Sequence, residues 1–285
     1  MALHPAGRPT DLAHPPHDTD ASAADGHDAA VVARSALSAA TSLRLAVDDA
    51  AVDLTASHAV LPDGTVVLAV DAMSRTGGLL VAARGRAEVV QVDVTHLIPV
   101  ATRSRVRARL RILGTARPFD PASLDLCDAD TVMSLLALPP VALWTVEPNR
   151  VRLTRDHDEW TVDTDAYRAA RADPIAGEEA AHLHHLTGRH RDLVDQLAML
   201  LDPALRARSA RVLPVALDAD GVILRAEAPQ WHTDVRLAFP RRVVEGAGLA
   251  EGLRALLAEA FRAARSPDQP SRSTTSTCVC ELLSG

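Results

Sequence analysis

The stretch Arg103-Ser-Arg-Val-Arg-Ala-Arg-Leu-Arg-Ile112 places arginine at 103, 105, 107, 109 and 111, with Val106, Ala108, Leu110 and Ile112 between them. Successive side chains of a strand point to opposite faces, so the alternation predicts a β-strand with one buried face and one cationic face. Residues 87–95 alternate in the same way, with Val90, Val92 and Val94 on one side and Gln91, Asp93 and Thr95 on the other. Two such strands side by side invite cross-strand ion pairs. Guanidinium suits bidentate capture of phosphate or carboxylate, so one or two of Arg105, Arg107 and Arg109 are candidates to hold an anionic group. The rest are expected to meet water and acids such as Asp93 and Glu88.

Working outward, residues 43–47 alternate as a strand, and residues 58–70 form two apolar runs broken by Pro62-Asp63-Gly64, a hairpin signal. An alanine-rich helix over 28–41 precedes them, and a short helix over 77–83 follows. Beyond the arginines come a helix at 130–138 closed by Pro139-Pro140, a hairpin of 141–146 and 149–153 around Glu147-Pro148, and a short strand at 160–162. Strands in series with few long helices argue for a barrel or sandwich up to about residue 165. The second half reads as one amphipathic helix over 178–201, strands at 211–217, 221–226 and 233–239, and a closing helix over 249–265. This sets a leader at 1–25, a barrel domain at 26–170, a small α+β domain at 175–266 and a flexible tail at 267–285.

The 285 residues suffice for two domains with cores, and apolar residues make up 47%. Aromatics are only 2% and the formal charge is −7, which argues against a nucleic-acid partner. All 30 basic residues are arginine, so chemistry that needs a lysine is excluded. The three cysteines, Cys127, Cys278 and Cys280, cannot form an even disulfide set, so a reduced, cytoplasmic location is expected. Neither a signal peptide nor a membrane span is legible. Cys278-Val-Cys280 is too tightly spaced, and too alone, for a zinc knuckle.

The helix from residue 178 carries His182, His184, His185 and His190, and the wheel sets His190 inside the leucine stripe. A buried imidazole there could ligate a metal or heme iron, or hydrogen-bond inward and support packing. Nucleophile elbows, glycine-rich phosphate loops and dinucleotide fingerprints are absent.

The segment His185-Leu-Thr-Gly-Arg-His190-Arg-Asp192 resembles the His-Met-Asn-Glu-Asp-His-Ala-Asp motif that opens a small C-terminal domain of unknown function. That domain accompanies split-barrel proteins related to pyridoxamine phosphate oxidase, including the HugZ-type heme-utilisation proteins and the glutamyl-tRNA reductase-binding proteins. The Asp-Ala-Asp-Gly turn at 218–221, Phe239-Pro240-Arg241 and the closing helix match in order, and residues 92–114 resemble the barrel strands. Thr187 and Arg189 depart from the motif's asparagine and aspartate.

The resemblance implies an α+β protein, an FMN-binding-type split β-barrel followed by a small helix–strand–helix domain, dimeric through the barrel. It implies heme handling, with Arg105, Arg107 and Arg109 toward the propionates, His190 as a further cofactor contact and His232 or His96 on iron. Heme degradation, as in a heme oxygenase-like oxidoreductase, would draw electrons from a separate reductase. Heme-degrading members use a histidine of the C-terminal region, and this chain has none after His232. The alternatives are a non-catalytic regulator that binds an enzyme of tetrapyrrole synthesis, and an FMN-dependent oxidoreductase.

Overall fold

The computed structural model describes residues 19–120, 135, 141–155, 158–244 and 246–265. The leader before residue 19, most of the expected 130–138 helix, the tail and all three cysteines lie outside the described residues.

Alternating burial shapes the first unit. Strands β1 (Ser42–Val47), β2 (Ala50–Thr55), β3 (His58–Val60), β4 (Val66–Asp71), β5 (Val90–Leu97), β6 (Val106–Pro118), β7 (Val141–Arg155) and β8 (Asp158–Val162) form one sheet. It runs in the order β2-β1-β5-β6-β7-β4-β3, and β8 also pairs with β7. Every pairing is antiparallel. Leu45, Leu68, Val92, Leu110, Ile112, Val151 and Leu153 share one core with Leu37 and the small residues Ala29, Ala30 and Ala33 of helix α1 (Thr19–Ser38). Alanines on that face let the helix approach the sheet closely. Strand β4 is apolar from Val66 to Val70 because it is covered on both sides there: Val66, Leu68 and Val70 face the main core, while Val67 and Ala69 meet Phe119, Leu135 and Leu143. Helix α2 (Arg75–Ala83) is started by the Ser74 hydroxyl, which accepts from the Gly77 amide.

Three expectations change here. Helix α1 begins at Thr19, ahead of the residue-28 start. Strand β2, with little buried apolar content, has no clear period and was not expected. The hairpin around Glu147-Pro148 is instead the middle of one 15-residue strand, β7. Proline lacks an amide proton, but the register shifts at Leu113/Gly114, where Gly114 faces Pro148, so a bulge absorbs the missing bond. A Cβ on Gly114 would lie 2.5 Å from the Glu147 carbonyl oxygen, so the close approach requires glycine. This bulge bends the long β6–β7 ribbon, which lets β7 pair with β4 at one end and β8 at the other.

Helix α3 (Thr164–Ala169) leads into the second unit. The expected single helix over 178–201 is broken into α4 (Glu179–Arg189) and α5 (Arg191–Ala198) at His190, whose φ of −131° and ψ of 45° are not helical. A short α6 (Pro203–Arg208), capped by Asp202, follows. The antiparallel strands β9 (Arg211–Asp218), β10 (Gly221–Glu227) and β11 (His232–Ala238) then form a sheet in the order β11-β10-β9, and α7 (Gly246–Arg265) closes the unit. Ile98 and Val100, from the loop between β5 and β6, insert into this second core beside Ile175, Leu183 and Val215. The two units are thus packed against each other. Among the described residues no helix is long and apolar enough to cross a membrane.

Candidate functional site

A cleft of about 1100 Å³ lies between the sheet and the C-terminal unit, lined in part by Val31 and Val32 of α1, His96 of β5 and Arg107 of β6. Asp218 of β9, Arg236 of β11 and Arg242 complete its far wall. Alternation along β6 explains the near wall: Ala108 and Leu110 enter the core, which sends Arg107 outward, where the second unit covers it.

Most of the cationic face is engaged within the chain, and Arg107 most fully. Arg107 Nη1 stands 2.7 and 2.9 Å from the two Glu179 oxygens, and its Nη2 donates to the Val215 carbonyl. Glu179 also accepts from the Leu217 amide at 2.8 Å. Arg105 Nε reaches the Ile98 carbonyl at 3.3 Å, and Arg111 pairs with Asp93 at 2.8 Å. The Arg103 amide donates to Glu227, and its guanidinium reaches the Pro229 carbonyl. Arg109 is exposed and makes no ion pair or hydrogen bond among the described residues. The expected cross-strand partner Asp93 is found, whereas Glu88 pairs with Arg150.

The sequence candidates do not converge on one point. His96 and Arg107 meet around Glu179, Arg105 precedes β6, Arg109 lies further along that strand, and His232 opens β11 opposite Glu227. His190 is not a buried member of a leucine stripe, because the helix ends there; it is half-buried and its Nε2 lies 3.1 Å from Nε2 of His185. Glu179, Asp173, Asp218 and Arg236 were missed. The Asp-Ala-Asp-Gly turn was legible only as a chain reversal, although its two carboxylates line the cleft.

Charge in the cleft is nearly balanced, with five arginines against four carboxylates. Burial works to raise the Asp218 carboxyl, but the two bonds from Arg236, at 2.8 and 2.6 Å, and the amides of Asp220 and Gly221 outweigh it and hold the group below its ordinary value. Asp173 accepts from the Ala219 amide and lies 3.6 Å from Arg242, which also pairs with Asp220. His96 is different. Burial first, and the Arg107 charge second, push its pKa down to about 4. The Glu179 carboxylate at 3.8 Å does not offset this, because its charge is already paired with Arg107 and it lies beyond hydrogen-bonding distance of the ring. The imidazole is thus neutral at pH 7, its Nδ1 is buried without a partner, and its Nε2 makes no hydrogen bond.

A titration consequence follows. The unfolded chain binds a proton at His96 near pH 6.5 and the folded chain only near 4, so stability present above the upper value is lost as pH falls through this window. The loss approaches roughly 3 kcal/mol for a group this well buried. Urea midpoints measured from pH 7 to pH 4 should fall more steeply for the native chain than for His96→Gln; parallel curves would contradict the assignment.

Among the described residues no group of three or more His, Cys, Asp and Glu side chains is placed to hold a metal ion. No family model matches the chain, and no curated protein is similar to it. Solved structures are. A heme binding protein from Mycobacterium smegmatis aligns at 21% identity and a TM-score of 0.54, over 82% of this chain and 98% of that one. The chain is a split β-barrel protein. In that split barrel the antiparallel sheet carries the appended helix–strand unit. A protein of unknown function from Agrobacterium tumefaciens aligns at 19% identity, over 81% of this chain and 95% of that one, with a TM-score of 0.37. A protein related to general stress protein 26, of the pyridoxinephosphate oxidase family, from Clostridium acetobutylicum, covers 50% of this chain and 98% of its own at 12% identity and a TM-score of 0.35.

Proposed function

We propose that this split-barrel protein binds heme in the cleft between its two units, with His96 as the nitrogen nearest the iron. The observation that carries the reading is His96: a metal takes the neutral form of imidazole, and burial holds this ring neutral on the wall of a cleft of ligand size. The apolar stretch of wall from Val31, Val32, Ile223 and Val243 suits the face of a porphyrin. Heme binding by the Mycobacterium smegmatis protein, which aligns along nearly its full length, supports the same reading. Arg107 is committed to Glu179 and Arg242 to Asp220 and Asp173, so a propionate is assigned instead to Arg171, exposed on the cleft lining with only one nitrogen engaged, on the Pro62 carbonyl. When bound, heme supplies reversible electron and ligand exchange at iron. The apolar wall and Arg171 would orient it, and His96, held without a proton at neutral pH, would offer its lone pair.

Titrating hemin into the purified protein is expected to give a saturable, shifted Soret band. His96→Gln should weaken binding about tenfold or more, the loss of one coordinate bond to iron. An unshifted Soret band, or a band indifferent to His96→Gln, overturns the proposal. Adding a reductant then separates a carrier, whose Soret band persists, from an oxygenase, whose band decays. Flavin in the protein as purified would replace the reading with FMN-dependent chemistry.

A further inference from the structure

The break between α4 and α5 brings two imidazoles together. Their Nε2 atoms are 3.1 Å apart, their ring centres 4.7 Å apart and their planes inclined by 64°. Without a metal, one Nε2–H donates to the other Nε2. A straight N–H···N bond at this separation would hold the ring centres about 5.4 Å apart, so the two rings are folded toward a common point rather than aligned.

That point has the dimensions of a metal chelate. With metal–nitrogen bonds of about 2.05 Å, two imidazoles on one ion stand about 2.9 Å apart, N to N, at a right angle and about 3.35 Å apart at the tetrahedral angle. The corresponding ring-centre separations are about 4.5 and 5.2 Å. Both observed separations fall inside these limits, and each independently returns a nitrogen–metal–nitrogen angle near ~95–98°. Trans ligands of one heme would stand about 4 Å apart, so the pair does not sandwich a heme.

We propose that His185 and His190 form a two-histidine site for a divalent transition-metal ion of the imidazole-preferring class, Zn²⁺, Ni²⁺ or Cu²⁺. The hard ions Mg²⁺ and Ca²⁺ are excluded by ligand type. On binding, the donor ring moves its proton from Nε2 to Nδ1 through solvent, so both Nε2 lone pairs meet the ion and each neutral ring carries its one proton on Nδ1, with no net proton release. His185 lies in the last turn of α4 and His190 is the joint residue, so the ion ties the helix end to the non-helical link that follows. His185 is exposed and His190 half-buried, so the ion's other positions stay open to water or to a carboxylate from another molecule. The other two histidines of the helix serve as internal controls. His182 pairs with Glu178 at 3.3 Å, and His184 Nε2 meets the Pro99 carbonyl at 2.9 Å.

Calorimetric titration of the full chain with Ni²⁺ tests the site and is independent of heme. The native chain should show one class of sites that His185→Gln and His190→Gln each weaken at least tenfold, the double variant being no worse than either single one. His182→Gln should leave that class unchanged. Unaltered circular dichroism of the metal-free variants guards against misfolding. Equal affinity in the native chain and both variants, or small additive losses, would mean that the two rings share only a hydrogen bond, and would overturn the proposal.

Discussion

Glu179→Ala is expected to cost about 3–5 kcal/mol of stability, the usual penalty for removing one member of a buried ion pair. The Glu179 side chain is 7% exposed and Arg107 19%. Removing the carboxylate strands the guanidinium and leaves the Leu217 amide without its acceptor, two desolvation costs from one change. The loss falls at the junction of the two units, since Arg107 belongs to the barrel sheet and Glu179 and Leu217 to the second unit. Urea unfolding should show a lowered midpoint, and a separate early transition of the C-terminal unit if the junction fails first. Arg107→Met alone should also destabilise, by leaving the Glu179 charge with only an amide. Arg107→Met combined with Glu179→Ala should cost less than the two single changes together. Strict additivity in that cycle, or a loss below about 1 kcal/mol for Glu179→Ala, would show that the pair is effectively solvated.

Much of the barrel was legible because its strands obey a period of two. Val90, Val92 and Val94, and Ala108, Leu110 and Ile112, face the core as the alternation requires. Pro62-Asp63-Gly64 marks a real reversal between β3 and β4. The errors have identifiable causes. Glu147-Pro148 carries turn chemistry, yet a bulge opposite Gly114 tolerates a proline inside a strand, and that opposition is a long-range fact. His190 continues the helical spacing of leucines, but spacing does not reveal that its backbone leaves the helix.

The site was less legible than the fold. Five arginines on one face read as an anion site because sequence shows the charges and not what covers them. Glu179 is 72 residues from Arg107 along the chain, and nothing local to either marks the pair. His96 is a lone histidine in a strand, and its depressed pKa depends on burial contributed by another unit. Chemistry assembled across an interface is therefore read from packing, while alternation within one strand is read from sequence.

Gly64→Ala is expected to destabilise by about 3–4 kcal/mol, and the reason lies in two separate demands on one residue. Its φ of +85° is in the left-handed region, which costs an L-residue about 1–2 kcal/mol. A methyl group would also arrive 2.4 Å from Cε1 of Tyr167 and 2.0 Å from Nη1 of Arg34. The arginine end could swing, but not freely: its Nη2 donates to the Leu61 and Pro62 carbonyls, and the guanidinium lies 5.3 Å from the Tyr167 ring centre. Tyr167 cannot move at all without a cavity, being fully buried with its hydroxyl donating to the Gly64 carbonyl at 3.1 Å. Overpacking against such a ring costs about 1–3 kcal/mol beyond the backbone strain. The same contacts tie α1, the β3–β4 turn and α3 together, so the substitution loosens three elements at once. Thermal and urea melts of Gly64→Ala and of the exposed control Gly85→Ala separate the two contributions. Gly85 also has a positive φ, 71°, but its Cβ would meet nothing within 4 Å, so Gly85→Ala should show the backbone strain alone. Equal losses at both positions would mean that Tyr167 and Arg34 yield without cost, and the turn would then depend on glycine for its conformation only.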